Sequence, residues 1–143
     1  MNIKDFLKVM EKANKWDHNI NYGENPLLYH YAPDCSGMYV CSPYREELLG
    51  IWKFSSKSVA KQSAKDIYNL FLKYLDLEDF VGCDIARKYL QAGFQKKSIP
   101  HQFHAFFENF YIKVVSNKSY DLLKEDFLKK QKDFRLKNKN EKR

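Results

Sequence analysis

At 143 residues the chain has the length of one domain, enough to bury roughly 68% of the surface its unfolded form exposes. Hydrophobic residues make up 44% of it and aromatic residues 16%, which supports a core rich in Phe and Tyr. No stretch approaches the ~18 apolar residues of a membrane span, and charges interrupt the N-terminus where a secretory leader would be apolar, so neither is expected. The net charge of +7 is weighted to the end: residues 119–143 hold nine Lys or Arg against five Asp or Glu, a balance of +4 that leaves +3 for the other 118 residues. Only four of the 25 basic residues are Arg and Asn is frequent, a bias that an AT-rich genome produces without selection for binding. The charge therefore favours a polyanion partner only mildly. Cys35, Cys41 and Cys83 show no CxxC spacing and read as reduced thiols of a cytosolic protein.

In chain order, Ile3, Phe6, Leu7 and Met10 recur at spacings of three and four and predict a short amphipathic helix over Asn2 to Lys12. Ala13 to Glu24 is polar and aromatic and reads as irregular. A strand is predicted over Tyr29–Ala32, because Pro33-Asp34-Cys35-Ser36-Gly37 is a dense turn signal and Met38–Cys41 can return as its hairpin partner. Ser42-Pro43 starts a short helix over Tyr44 to Leu49, with Ser as N-cap, and Gly50 stops it. Ile51–Phe54, aromatic and alternating in polarity, is predicted as a third strand. Ser55 or Ser56 then caps a helix to about Leu75. Its inner face is Val59, Ala60, Ser63, Ile67, Leu70, Phe71 and Tyr74, and Lys57, Lys61 and Lys65 form a basic ridge on it.

Asp76 to Phe94 predicts the next helix. Asp76 or Asp79 serves as N-cap, and Val81, Ile85, Ala86, Tyr89, Leu90 and Gly93 make one apolar stripe. Gly82, Ala86 and Gly93 along that stripe allow another element to approach the backbone closely, and Gly93 also fits a C-cap. Asp84 stands three residues before Arg87 and four before Lys88, the spacing of intrahelical ion pairs on an outer face. Beyond it, Phe103, Phe106, Phe107, Phe110 and Val114 predict a helix from about Pro100 to Ser116. Tyr120, Leu123, Phe127 and Phe134 predict a last one capped within Asn117 to Ser119. The fold expected is α+β: a mostly helical single domain over residues 1–136 with a small antiparallel sheet of about three short strands, followed by a basic disordered tail over 137–143.

The run Gly82-Cys83-Asp84-Ile85-Ala86-Arg87-Lys88-Tyr89-Leu90-Gln91-Ala92-Gly93-Phe94 resembles the core signature of an uncharacterised family, domain of unknown function 4385, whose members are small proteins of bacteria, phages and some eukaryotes. The similarity extends back through Ser42-Pro43-Tyr44-Arg45, Glu47-Leu48-Leu49 and Trp52-Lys53-Phe54, so that it covers roughly Tyr22 to Phe94. The resemblance implies a shared fold and no established activity. Relatives follow the signature with an arginine-rich, His-containing stretch, whereas this chain has Gln95-Lys96-Lys97-Ser98-Ile99-Pro100-His101. A function resting on those arginines is not implied here.

Several constellations carry chemistry in principle. His101, His104 and Glu108 lie at i, i+3 and i+7, a spacing that would suit Zn²⁺ with a fourth ligand from His18, His30 or Cys83. The Phe stripe explains this helix without a ligand, and no metal or cofactor is expected. Ser55-Ser56-Lys57-Ser58 has the makings of an anion cradle but also those of a plain serine cap, and it lacks the glycines of a P-loop. No Ser occupies a nucleophile elbow, and Glu46-Glu47 and Glu78-Asp79 are adjacent carboxylates that point apart on a helix, so catalysis is not expected. Basic residues interleaved with aromatics say more. Arg45, Trp52, Lys53, Arg87, Lys88, Tyr89, Lys96 and Lys97 would, if they converge, neutralise phosphates and stack bases. The function ranked first is a basic nucleic-acid-associated binding domain without catalysis. Next comes a protein–protein adaptor or phage–host interaction module, with homodimerisation through Phe127 and Phe134 as its simplest form; a small enzyme comes third.

Overall fold

The computed structural model describes residues 16–141. Among these are five α-helices, α1 (Tyr44–Leu49), α2 (Lys57–Asp76), α3 (Phe80–Gln95), α4 (His104–Val115) and α5 (Lys118–Glu141), with single 3₁₀ turns at Pro26–Leu28 and His101–Phe103. The amphipathic segment expected over Asn2 to Lys12 lies outside the described residues. Helix α3 is the axis of the fold. Every residue from Phe80 to Gly93 is buried, and α1, α2, α4 and α5 all pack on it.

Local sequence accounts for the helix boundaries. The Ser56 hydroxyl accepts from the Val59 amide at 3.3 Å to open α2, and the Asp79 carboxylate accepts from the Gly82 amide at 3.1 Å to open α3. Asn117 Oδ1 accepts the Tyr120 amide at 2.9 Å and starts α5. Ser42 does not cap α1: Pro43 occupies that position, and the Ser42 hydroxyl donates to Glu46 instead. Helix α5 runs on to Glu141, through the segment expected to be a tail.

Gly82 and Gly93 act as contact points. A Cβ on Gly82 would lie 2.6 Å from the Tyr74 ring of α2, and one on Gly93 would lie 2.2 Å from Cγ of Phe107 on α4. Each glycine admits an aromatic ring onto the α3 backbone, as its place on the apolar stripe suggested. Gly93 is not a C-cap, because α3 continues through it to Gln95. The aromatic core continues outward from these contacts. Phe80 packs on Phe127 at 4.8 Å and on Tyr120 at 5.8 Å between ring centroids, joining α5 to the base of α3.

The expected sheet is absent among the described residues, so the α+β assignment is overturned: the protein there is all-helical, and the only β pairing is an isolated bridge between Asn21 and Ser42. Tyr29–Ala32 and Ile51–Phe54 are extended or irregular, and Met38–Cys41 lies within consecutive turns. The physical reason is where their backbone groups find partners, since buried peptide groups must be satisfied by something. The carbonyls of Ala32, Pro33 and Asp34 accept from Arg87, that of Ser36 from Lys88 and that of Met38 from Tyr89. Gln131 of α5 donates to the carbonyls of Leu27 and Tyr29. Ser63 of α2 bridges the Ile51 carbonyl at 2.7 Å and the Lys53 amide at 2.9 Å. Helix side chains do the work of a β ladder, and the short apolar runs that read as strands are wrapping segments.

Substituting Gly93→Ala should lower stability by about 1–3 kcal/mol, because Phe107 and its neighbours must move to admit one methyl group. Urea denaturation checks this, with Gly50→Ala at an exposed glycine as the neutral comparison.

Candidate functional site

The structure divides the eight basic and aromatic candidates into two sets. Arg87, Lys88 and Tyr89 are inside, with Arg87 3% exposed and Lys88 and Tyr89 not exposed at all. Arg45, Trp52 and Lys96 are half-buried, and Lys53 and Lys97 are exposed.

The inner set is a polar core built on α3. Asp84 and Arg87 form an ion pair at 2.9 Å with both side chains out of solvent. Asp84 also accepts from the hydroxyls of Tyr29 and of Tyr120, the latter at 2.7 Å. The guanidinium spends its remaining donors on the Ala32, Pro33 and Asp34 carbonyls and on Gln91 Oε1 at 2.6 Å. Burial is the largest influence and opposes the Arg87 charge, but the Asp84 carboxylate together with the nearby Tyr120 and Tyr29 side chains holds the pKa above its usual value. Burial first and Asp84 second push Tyr29 and Tyr120 upward, so both stay protonated as donors. The intrahelical pair that the spacing suggested therefore exists, but on a buried face. With every N–H committed to protein acceptors, this guanidinium does not offer an anion-binding fork.

Lys88 reaches the other way. Its ammonium donates to the Ser36 carbonyl at 2.5 Å and lies 4.9 Å from the Trp16 ring centroid and 4.8 Å from that of Tyr29. Burial pushes its pKa down to about 8; the Asp84 carboxylate resists that fall and the neighbouring Arg87 charge adds to it. Tyr89 donates to the Met38 carbonyl at 2.6 Å and meets Trp52 edge-on at 5.4 Å.

The outer set converges on Trp52. Tyr39 lies 6.2 Å from it and Phe54 5.4 Å, and Tyr89 forms the floor beneath. The Lys96 ammonium sits 4.8 Å from the Tyr39 centroid and 5.7 Å from that of Trp52, and donates to the Tyr39 hydroxyl. Arg45 is near enough to act electrostatically on Tyr89 and lies 3.7 Å from Glu46. Lys53 sits in the chain between Trp52 and Phe54, and Lys97 follows Lys96. The result is a half-exposed aromatic surface with a cationic edge.

Elsewhere the geometry is less productive. His101 and His104 have ring centroids 5.1 Å apart, but Nε2 of His104 lies 2.8 Å from the Ile99 carbonyl and Glu108 is exposed. Among the described residues no group of three His, Cys, Asp or Glu side chains is placed to hold a metal. The serines at the start of α2 act as a cap, through Ser56.

Sequence reasoning missed Tyr39 and Phe54 as partners of Trp52, and Tyr29, Tyr120 and Gln131 as members of the polar core. Only Gln131 carried a mark. It falls between Phe127 and Phe134 at helical spacing, a polar residue on an apolar stripe, and it is 4% exposed.

Two outcomes follow. Arg87→Ala should destabilise the protein by about 3–5 kcal/mol in urea denaturation, because it strands the buried Asp84 charge and removes the donors of three part-buried carbonyls. Arg87→Lys should restore little, since one ammonium cannot span those acceptors. For Lys88, a folded pKa near 8 against an ordinary value of 10.5 means that the unfolded chain binds more protons between those limits. Stability conferred through this group is lowest below pH 8 and recovers as pH rises toward 10.5, by at most about 1.4 kcal/mol per pH unit. The stability of the unaltered protein relative to Lys88→Met should therefore rise between pH 7.5 and 9.5. Measuring both proteins at each pH cancels the buried Tyr and Cys groups, which they share, and a constant difference would contradict the assignment.

No described helix is long and apolar enough to cross a membrane. No curated protein and no solved structure matched the chain. A family match does exist and covers residues 12–104, which takes in the α1 and α2 helices, the whole of α3 and the turn that leads to α4. Asp84, Arg87, Lys88, Tyr29 and Gln91 of the polar core, the wrapping segment they hold and the Trp52 surface fall within that span, whereas Tyr120 and Gln131 lie beyond it. The chain belongs to the family described as domain of unknown function (DUF4385).

Proposed function

We propose that the protein is a non-catalytic binding domain for single-stranded nucleic acid and that it engages this ligand through the surface centred on Trp52. The observation that carries the reading is the seating of the Lys96 ammonium over Tyr39 and Trp52 on a half-exposed aromatic face. Proteins that hold single strands combine stacking platforms with cations that neutralise phosphates, and stacking tolerates any base. Tyr39, Trp52 and Phe54 supply the π faces, and Arg45, Lys53, Lys96 and Lys97 supply the charge. The buried cations take no part: Arg87 and Lys88 bind the protein's own carbonyls. Burial pushes the Cys41 thiol up to about 12 and raises Cys35 as well, which lowers the share of each present as thiolate.

Fluorescence anisotropy with a labelled single-stranded oligonucleotide tests the reading. Binding should weaken steeply between about 50 and 200 mM salt. Trp52→Ala should cost about 1–3 kcal/mol of affinity through lost stacking. A Lys53→Glu/Lys97→Glu double substitution should weaken binding more than the same charge reversal at Lys129 and Lys132 of α5. A flat titration at low salt, or equal losses from the two double substitutions, would remove this surface from consideration.

A further inference from the structure

Around the turn that joins α2 to α3 the surface changes character. A groove of about 630 Å³ lies between the last turns of α2 and the first turns of α5, with Leu72, Leu75, Leu122 and Leu123 on its walls. It adjoins a second of about 510 Å³, which reaches past Leu77 to Phe127 and shares Glu78, Leu123 and Asp126 with the first. Leu77 and Leu122 are 65% and 66% exposed, the two most exposed large hydrophobic residues described. On a chain of net charge +7 the rim is nevertheless acidic, with Asp76, Glu78, Asp79 and Asp126 set against Lys130. Lys130 is itself paired with Asp126 at 2.9 Å.

The turn is unusual in the same place. Asp79 N–H bonds to the Tyr74 carbonyl at 2.9 Å and Glu78 N–H to that of Leu75 at 3.0 Å, a helix ending in which the middle residue adopts left-handed geometry. Glycine is the relaxed choice there, yet the chain has Glu78 at φ 55°. The strained position holds a carboxylate on the rim of the groove and places exposed Leu77 beside it.

We propose that this groove receives an amphipathic helix of a partner protein whose apolar stripe is flanked by lysines or arginines. Apolar side chains at i, i+3, i+4 and i+7 of such a helix would cover the leucines, and its basic flanks would face Asp76, Glu78 and Asp126. Charge selects this occupant. The same carboxylates repel nucleic acid, so the surface is distinct from the one around Trp52 and does not depend on it.

The test uses the full-length chain and a fluorescein-labelled model peptide of about 14 residues, made of leucine at helical spacing and lysine elsewhere. Its control carries glutamate in place of lysine. The lysine peptide should bind saturably and slow amide exchange over residues 72–78 and 119–126, a readout that needs no variant. Affinity should fall at least about tenfold in a Glu78→Lys/Asp126→Lys protein and in Leu122→Asp. All three residues are exposed, so both variants should melt cooperatively as the parent does. The glutamate peptide should not bind. Absence of saturable binding, binding that survives both variants, or equal binding of the two peptides would overturn the proposal. So would a concentration-dependent dimer that Leu122→Asp dissociates, because the occupant would then be a second copy of this chain.

Discussion

Arg87 is the residue on which the rest of the fold depends. Its charge is neutralised by Asp84 one helical turn away, and its remaining donors hold three consecutive carbonyls of the segment that wraps α3. A buried ion pair alone is a weak source of stability, since desolvation consumes much of the attraction. Here the pair is embedded: the Tyr29 and Tyr120 hydroxyls complete the carboxylate, and the Gln91 amide oxygen and backbone carbonyls complete the guanidinium. The arrangement also dictates geometry. A planar fork accepts carbonyls only from particular directions, so it fixes where Ala32, Pro33 and Asp34 run relative to α3.

Lys88, Tyr89 and Gln131 extend the same logic along the segment. Each satisfies a carbonyl that would otherwise be left wholly or partly out of water without a partner, and together they let the irregular segment between the Pro26–Leu28 turn and α1 pass close to a helix buried along nearly all its length. Such a design places cations in the interior, which alters how the basic character of the chain should be weighed. Arg87 and Lys88 count toward the +7 yet present nothing to a ligand. What remains outside is distributed unevenly, with Lys96 and its neighbours around Trp52 on one side and a patch of carboxylates and leucines near the α2–α3 turn on another.

Those two surfaces have opposite electrostatic and chemical character. The first pairs aromatic faces with cations and suits a flexible polyanion. The second pairs exposed leucines with carboxylates and suits a cationic, amphipathic protein element. Both sit on rigid parts of the fold: Trp52 rests on Tyr89 of α3, and Leu77 and Glu78 are fixed by the helix ending they form.

The helices were legible in the sequence because their signals are local. Ser56 and Asp79 cap the helices they were expected to cap, the apolar stripe of α3 shows in its period, and Gly82 and Gly93 announce close contacts through the absence of a side chain. The strands were misread for an equally definite reason. Short apolar runs bounded by turn residues look alike whether their carbonyls are met by another strand or by side chains 55 or 104 residues away, as with Arg87 for Ala32 and Gln131 for Leu27. Likewise, spacing put Asp84, Arg87 and Lys88 on one face of a helix, but nothing local says which way that face points. The sequence by itself determined the helices, their caps, the contact glycines and a core of aromatic residues. Tertiary structure alone decided that the charged face of α3 turns inward, because only there do its donors meet the unpaired backbone of the segment that wraps it.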